Sequence, residues 1–152
     1  MTRPRAFLGA ALFGVLLSAA TPTAATELEF LNSPALDALG LPFSEAVRVG
    51  DTLYLSGQLG NKPGTLELVE GGIEPETEQT LNNIKAALER HGSDLAHVAK
   101  CTVFLADIAD WPAVNSVYTR FFAPKFPARS AMAGSGLALG AKVEIECIAV
   151  VK

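Results

Sequence analysis

Val143-Glu144-Ile145-Glu146-Cys147-Ile148-Ala149-Val150 is the stretch that decides the fold. Strict alternation over eight residues reads as a β-strand with two unlike faces. Val143, Ile145, Cys147 and Ala149 make an apolar face suited to packing against helices. Glu144 and Glu146 mark the other face, but Ile148 and Val150 lie on it too. That second face is neither a clean solvent surface nor a clean core.

Working outward, Val98 to Leu105 is a second strand, with Ala99, Cys101, Val103 and Leu105 on one side and Lys100, Thr102 and Phe104 on the other. Ala46–Val49 and Thr52–Ser56 flank Gly50-Asp51 and read as a hairpin. Pro75 to His91 is a helix: Leu81, Ile84 and Leu88 recur at helical spacing, Glu76 and Glu78 suit its positive end, and Gly92 stops it. A second helix starts at Asp110 as N-cap, with Pro112 in its first turn and Val114, Val117 and Phe121 on its apolar stripe; Trp111 and Phe121 are assigned to the core. Ser130–Ala133 is a short strand. The order is β-β-α-β-α-β-β, an α+β domain in which two helices cover only one face of the sheet. Apolar groups on the uncovered face favour association, so the expected state is an oligomer with sites at its subunit boundaries.

Chemistry is confined to few residues. Phe126-Pro127-Ala128-Arg129-Ser130 sets an arginine on a proline-stiffened turn, a planar, permanently charged fork for a small carboxylate. Glu144 or Glu146 offers a base. By pattern alone, Arg129 reads more readily as a structural ion-pair residue holding a loop, and the two acids as a solvated strand face. The histidines, His91 and His97, are read as solvent-facing, and no cluster argues for metal. Gly134 to Gly140 imitates a dinucleotide fingerprint, but a strand follows it rather than a helix.

Residues 1–25 are read as a secretory signal peptide: Arg3 and Arg5, an apolar run from Ala6 to Leu17, then small residues to Ala25. Residues 26–152 form the domain, and the expected location is periplasmic or secreted. Removing residues 1–25 lowers Lys+Arg from 12 to 10 against 16 acids, moving the formal charge from −4 to −6. That balance opposes nucleic-acid and anionic-membrane partners, and a nuclease role with them. Cys101 and Cys147 lack CxxC spacing and read first as two small buried hydrophobes; export to an oxidising compartment leaves pairing open.

Seven short segments in order, Leu41-Pro-Phe-Ser-Glu-Ala46, Leu55-Ser-Gly-Gln58, Thr80-Leu-Asn-Asn-Ile-Lys85, Thr102-Val-Phe-Leu105, Val114-Asn-Ser-Val-Tyr118, Pro127-Ala-Arg-Ser130 and Val143-Glu-Ile-Glu146, resemble the RidA/YjgF family of enamine/imine deaminases, also labelled endoribonuclease L-PSP. The resemblance spans about residues 30–152. It implies a chorismate-mutase-like mixed sheet and a homotrimer with three clefts between subunits. It also implies hydrolysis of 2-aminoacrylate and related enamines or imines to 2-keto acids and ammonia, with no metal and no organic cofactor. Carried over by position, Arg129 matches the arginine that pairs with the substrate carboxylate and Glu144 the acid that activates water. Phe43, Gly57, Asn115 and Ala131 match positions shaping the pocket. Two positions depart from the pattern: Phe43 stands where a tyrosine is common, losing a hydroxyl donor, and Ala131 stands where a cysteine is usual. The first departure keeps a second reading alive, a non-catalytic carboxylate-binding or protein-interaction trimer. The family topology also sets the closing strand beside Val98–Leu105. Lys100 could then pair with Glu144 or Glu146, and a Cys101–Cys147 disulfide becomes the alternative to free thiols.

Overall fold

The computed structural model describes residues 27–152; the expected signal peptide lies outside the described residues. The elements in chain order are β1 (Leu28–Leu31), α1 (Pro34–Leu39), β2 (Ala46–Val49), β3 (Thr52–Leu55), β4 (Gln58–Leu59), α2 (Ile73–Arg90), β5 (Val98–Leu105), α3 (Trp111–Phe122), β6 (Ala128–Ala133) and β7 (Val143–Val150). The strands form one mixed sheet in the order β1-β2-β3-β7-β5-β6, with β4 also paired to β7. All pairs are antiparallel except β5 with β6.

The alternation of β7 is realised in its burial: Val143, Ile145, Cys147 and Ala149 are buried, together with Cys101, Val103 and Leu105 of β5. Leu81, Ile84 and Leu88 of α2 and Val114, Val117 and Phe122 of α3 close the same core. Both long helices therefore cover one face, as the two-faced strand requires. On the opposite face the register aligns Phe30, Val47, Tyr54, Ile148 and Lys100 in one row across β1, β2, β3, β7 and β5. Phe30 is 69% and Tyr54 47% exposed in the single chain.

The Gly50-Asp51 hairpin forms as expected, with Val49 opposite Thr52 and Gly50 at φ 59°, where a two-residue loop favours glycine. Three expectations shift. α2 begins at Ile73, two residues before Pro75. The strand expected at Ser130 begins at Ala128, so Arg129 lies within β6 rather than on a turn. Asp110 precedes α3 but its side chain caps nothing; Asp107 instead accepts from the Ala109 amide at 2.9 Å in the preceding 3-10 turn.

Cys101 and Cys147 face each other across β5 and β7 and are joined as a disulfide, with Cα atoms 4.1 Å apart. The reading as two unpaired hydrophobes is thus replaced by the bonded alternative: adjacency in register brings both side chains to the helix-covered face. Closing a loop of 46 residues restricts the unfolded chain by about 4 kcal/mol in the loop-entropy relation. We expect fully denatured, unreduced protein to expose no reactive thiol and reduced protein to expose two. The reduced form should also unfold at lower denaturant. Two thiols titrating without reductant would contradict the bond.

Candidate active site

Glu144 leaves β7 on the uncovered face, and its carboxylate lies over Gly57, the second of the two residues between β3 and β4. A Cβ at position 57 would fall on Glu144 Oε1, so glycine there is a requirement of space. Burial, and then the neighbouring charge of Glu146, raise the Glu144 pKa above its ordinary value of 4.5. The loop carrying Phe43 is tied to the same place: Ser56 Oγ donates to the Ser44 carbonyl at 2.7 Å and the Ser56 amide to the Glu45 carbonyl at 3.0 Å. Phe43 itself is half exposed.

Helix α2 fixes both strands of this region. Asn83 donates its amide to the Leu59 and Asn61 carbonyls, each at 2.9 Å, holding β4. Glu76, only 4% exposed, accepts from the Lys142 and Val143 amides at 2.6 and 3.2 Å, holding the start of β7 just before Glu144. The sequence suggested a helix-dipole role for Glu76; its buried acceptor role was missed. Charge-assisted hydrogen bonds contribute about 1.5–3 kcal/mol and an orphaned buried donor costs about 1–3 kcal/mol. Glu76→Ala should therefore lower the unfolding free energy by roughly 2–4 kcal/mol, read as a fall in the urea midpoint with unchanged slope.

Arg129 lies elsewhere. Its β6 position pairs with Cys101, and Cys101 with Cys147, so it shares the helix-covered face. Nη2 donates to Asn115 Oδ1 at 2.8 Å. The guanidinium carbon sits 4.4 Å from the ring centroid of Trp111 and 4.5 Å from that of Tyr118. Such cation–π contacts are worth from about 0.5 to 2 kcal/mol each, depending on desolvation. Trp111 is partly buried, packed against the core as expected and also against the arginine. Trp111, Asn115 and Tyr118 stand at i, i+4 and i+7 on α3, one helical stripe; that spacing was visible, but its object on β6 was not. Among the described residues no carboxylate lies within ion-pair distance of Arg129, unlike Arg90, which binds Glu45 at 2.8 Å, and Arg120, which reaches Glu78 at 3.2 Å. A hollow of about 310 Å³ opens beside it, lined by Asn115, Tyr118, Thr119, Phe126 and Pro127. Ala131 follows on the same side of β6, opposite Val103.

The candidate residues thus form two half-sites in one chain. Phe43, Gly57 and Glu144 make one; Asn115, Arg129 and Ala131 make the other. Arg129 and Glu144 belong to opposite faces of the sheet and to strands separated by β5, so a single chain does not bring them together. Other expectations on nearby charges change as well. Lys100 stands opposite Ile148 and forms no ion pair with Glu144 or Glu146. His91 is not solvent-facing: its side chain is 7% exposed, with Nε2 2.8 Å from Glu45 Oε2. His97 is exposed, as expected, and pairs with Asp94.

The endoribonuclease L-PSP family profile matches residues 33–151. A goat 2-iminobutanoate/2-iminopropanoate deaminase is 50% identical over 109 residues, covering 72% of this chain and 80% of the goat protein. Among solved structures, a Rid-family protein of unknown function from Yersinia pestis superposes with TM-score 0.70 at 42% identity, covering 72% of this chain and 88% of that one. E. coli TdcF, crystallised with bound serine, gives TM-score 0.69 at 31% identity, covering 74% and 90%. With its mixed sheet, its two helices on one face and these relatives, the chain belongs to the RidA/YjgF family, the endoribonuclease L-PSP group.

Proposed function

We propose that this chain is a deaminase that hydrolyses reactive enamines and imines, such as 2-aminoacrylate, to 2-keto acids and ammonia. The observation that carries the reading is the division of the site. Each chain holds a cationic fork on one face and a partly buried carboxylate on the other, so a head-to-tail contact would join the arginine half of one copy to the acid half of the next. Contacts of that kind close into rings, and a homotrimer supplies three such clefts. The exposed apolar row on the uncovered face supports association in the same direction.

In the cleft Arg129 holds the substrate carboxylate with the N–H groups not used by Asn115. The enamine tautomerises to its imine, whose C2 is electrophilic, the more so when the nitrogen is protonated. Ionised Glu144 takes a proton from water as the oxygen bonds to C2, giving a carbinolamine. Glu144 returns that proton to nitrogen; as the C–N bond breaks, the carbinolamine hydroxyl gives its own proton back to the Glu144 carboxylate, the C2 carbonyl forms, and the departing ammonia carries the proton away as ammonium. Orientation and one general base suffice, because the carbon is already activated.

Export to the periplasm or beyond is part of this proposal. The layout of residues 1–25 and a disulfide within the domain both support it. The test is ammonia release from 2-aminoacrylate generated in situ by a dehydratase, with purified protein against buffer. The reading requires acceleration that Arg129→Ala removes. Binding of small carboxylates without acceleration, restored to turnover by Phe43→Tyr, would select the non-catalytic binding reading instead.

A further inference from the structure

We propose that Trp111 and Tyr118 are positioning residues that set the plane of the Arg129 guanidinium for carboxylate capture. The inference rests on the deaminase reading and adds to it the device that aims the cation. An arginine in a folded protein is ordinarily oriented by an acid, as Arg90 is by Glu45. An acid at Arg129 would cancel the charge that must attract substrate and occupy the fork that must bind it. Here two aromatic faces, with centroids 4.4 and 4.5 Å from the guanidinium carbon, hold the cation between them. Ring faces attract a cation without accepting its N–H groups. Among the described residues only Nη2 is engaged, by Asn115 at 2.8 Å; rotation about the remaining axis is thereby limited and the other donor edge stays available for a bidentate partner.

Tyr118 acts through its ring and not as a counter-ion. It is 2% exposed, its hydroxyl has no hydrogen-bond partner among the described residues, and burial pushes that hydroxyl up to about 12 against the opposing pull of Arg129. The phenol is therefore neutral at working pH. Trp111 is the only tryptophan in the chain, so its emission reports on this one site.

The test uses the full domain and 2-oxobutanoate, the keto acid that deamination of 2-iminobutanoate would yield. Titration should change tryptophan emission saturably, with the same midpoint as calorimetry, and the change should vanish in Arg129→Ala. Trp111→Leu should raise KM about tenfold while kcat moves by less than about threefold, and Trp111→Phe, which keeps a ring, should recover KM to within about threefold. Tyr118→Leu, which removes the second ring, should raise KM in the same direction as Trp111→Leu. Binding by calorimetry with no change in emission, or a parental KM in Trp111→Leu, would overturn the clamp while leaving the deaminase reading intact. Wild-type protein that neither binds 2-oxobutanoate nor releases ammonia would overturn both.

Discussion

Glu144→Gln should slow ammonia release from 2-aminoacrylate by about 10²–10⁴-fold, the usual contribution of a positioned general base, and should at the same time raise the melting temperature at neutral pH. Both follow from one environment. Burial first, and Glu146 second, favour the protonated acid in the folded chain. A carboxyl whose folded pKa exceeds its unfolded value binds protons more tightly when folded, so its ionisation destabilises the fold. The penalty is absent below the ordinary glutamate pKa of 4.5, grows as pH rises and is complete above the raised folded value. Glutamine removes it, so the gain in stability should appear near neutrality and fade in acid. In the parent, kcat/KM should climb with pH through an apparent pKa above that of ordinary glutamate, and that limb should be missing in the variant. Thermal melts across pH together with a pH–rate profile check both halves. Loss of stability in Glu144→Gln at neutral pH would contradict the environment described.

Arg129→Ala should lower kcat/KM by about 10²–10³-fold, within the roughly 2–5 kcal/mol that truncating one partner of a desolvated charge pair costs. Arg129→Lys should recover only part of this, leaving a deficit of about tenfold. An ammonium keeps the charge but has neither the planar fork nor the face that stacks between Trp111 and Tyr118. Steady-state kinetics on 2-aminoacrylate separates the cases. Full activity in the lysine variant would mean that the site needs only a point charge.

The parts of the fold legible beforehand were those in which burial imposes a period. β7 buries alternate residues against helices, β5 does so from Cys101 to Leu105, and α2 carries its apolar stripe into the same core. At the start of β5 a register shift between Val98 and Lys100 buries Val98 and leaves Ala99, expected on the buried face, exposed. β1 escaped because it is an edge strand, and Leu28 and Phe30 remain more than half exposed; α1 buries no residue. Yet the signals of α1 were present: the Ser33 hydroxyl accepts from the Leu36 amide, and Gly40 ends the helix at φ 63°. β4 is too short to show any period.

The sequence names candidate site residues but not their arrangement. The identities of Arg129, Glu144, Gly57 and Asn115 came from motif positions. That Gly57 is glycine because the Glu144 carboxylate lies on it requires a contact between β7 and the β3–β4 junction, which no local pattern encodes. Helical spacing places Trp111 on the apolar face, where it does pack against the core, but does not reveal the Arg129 guanidinium that its ring also meets. His91 was assigned to solvent because a helix end is usually exposed, whereas Glu45, distant in sequence, closes over it.

Mixing two inactive variants tests the division of the site most directly. Arg129→Ala retains the acid half and Glu144→Gln retains the arginine half, so an interface between one copy of each can hold one intact cleft. Co-refolded at equal ratio, the pair should regain about a quarter of parental activity, because half the copies carry each functional half and the two meet at random around a closed ring. Activity in the mixture no greater than in either variant alone would contradict a site built from two copies.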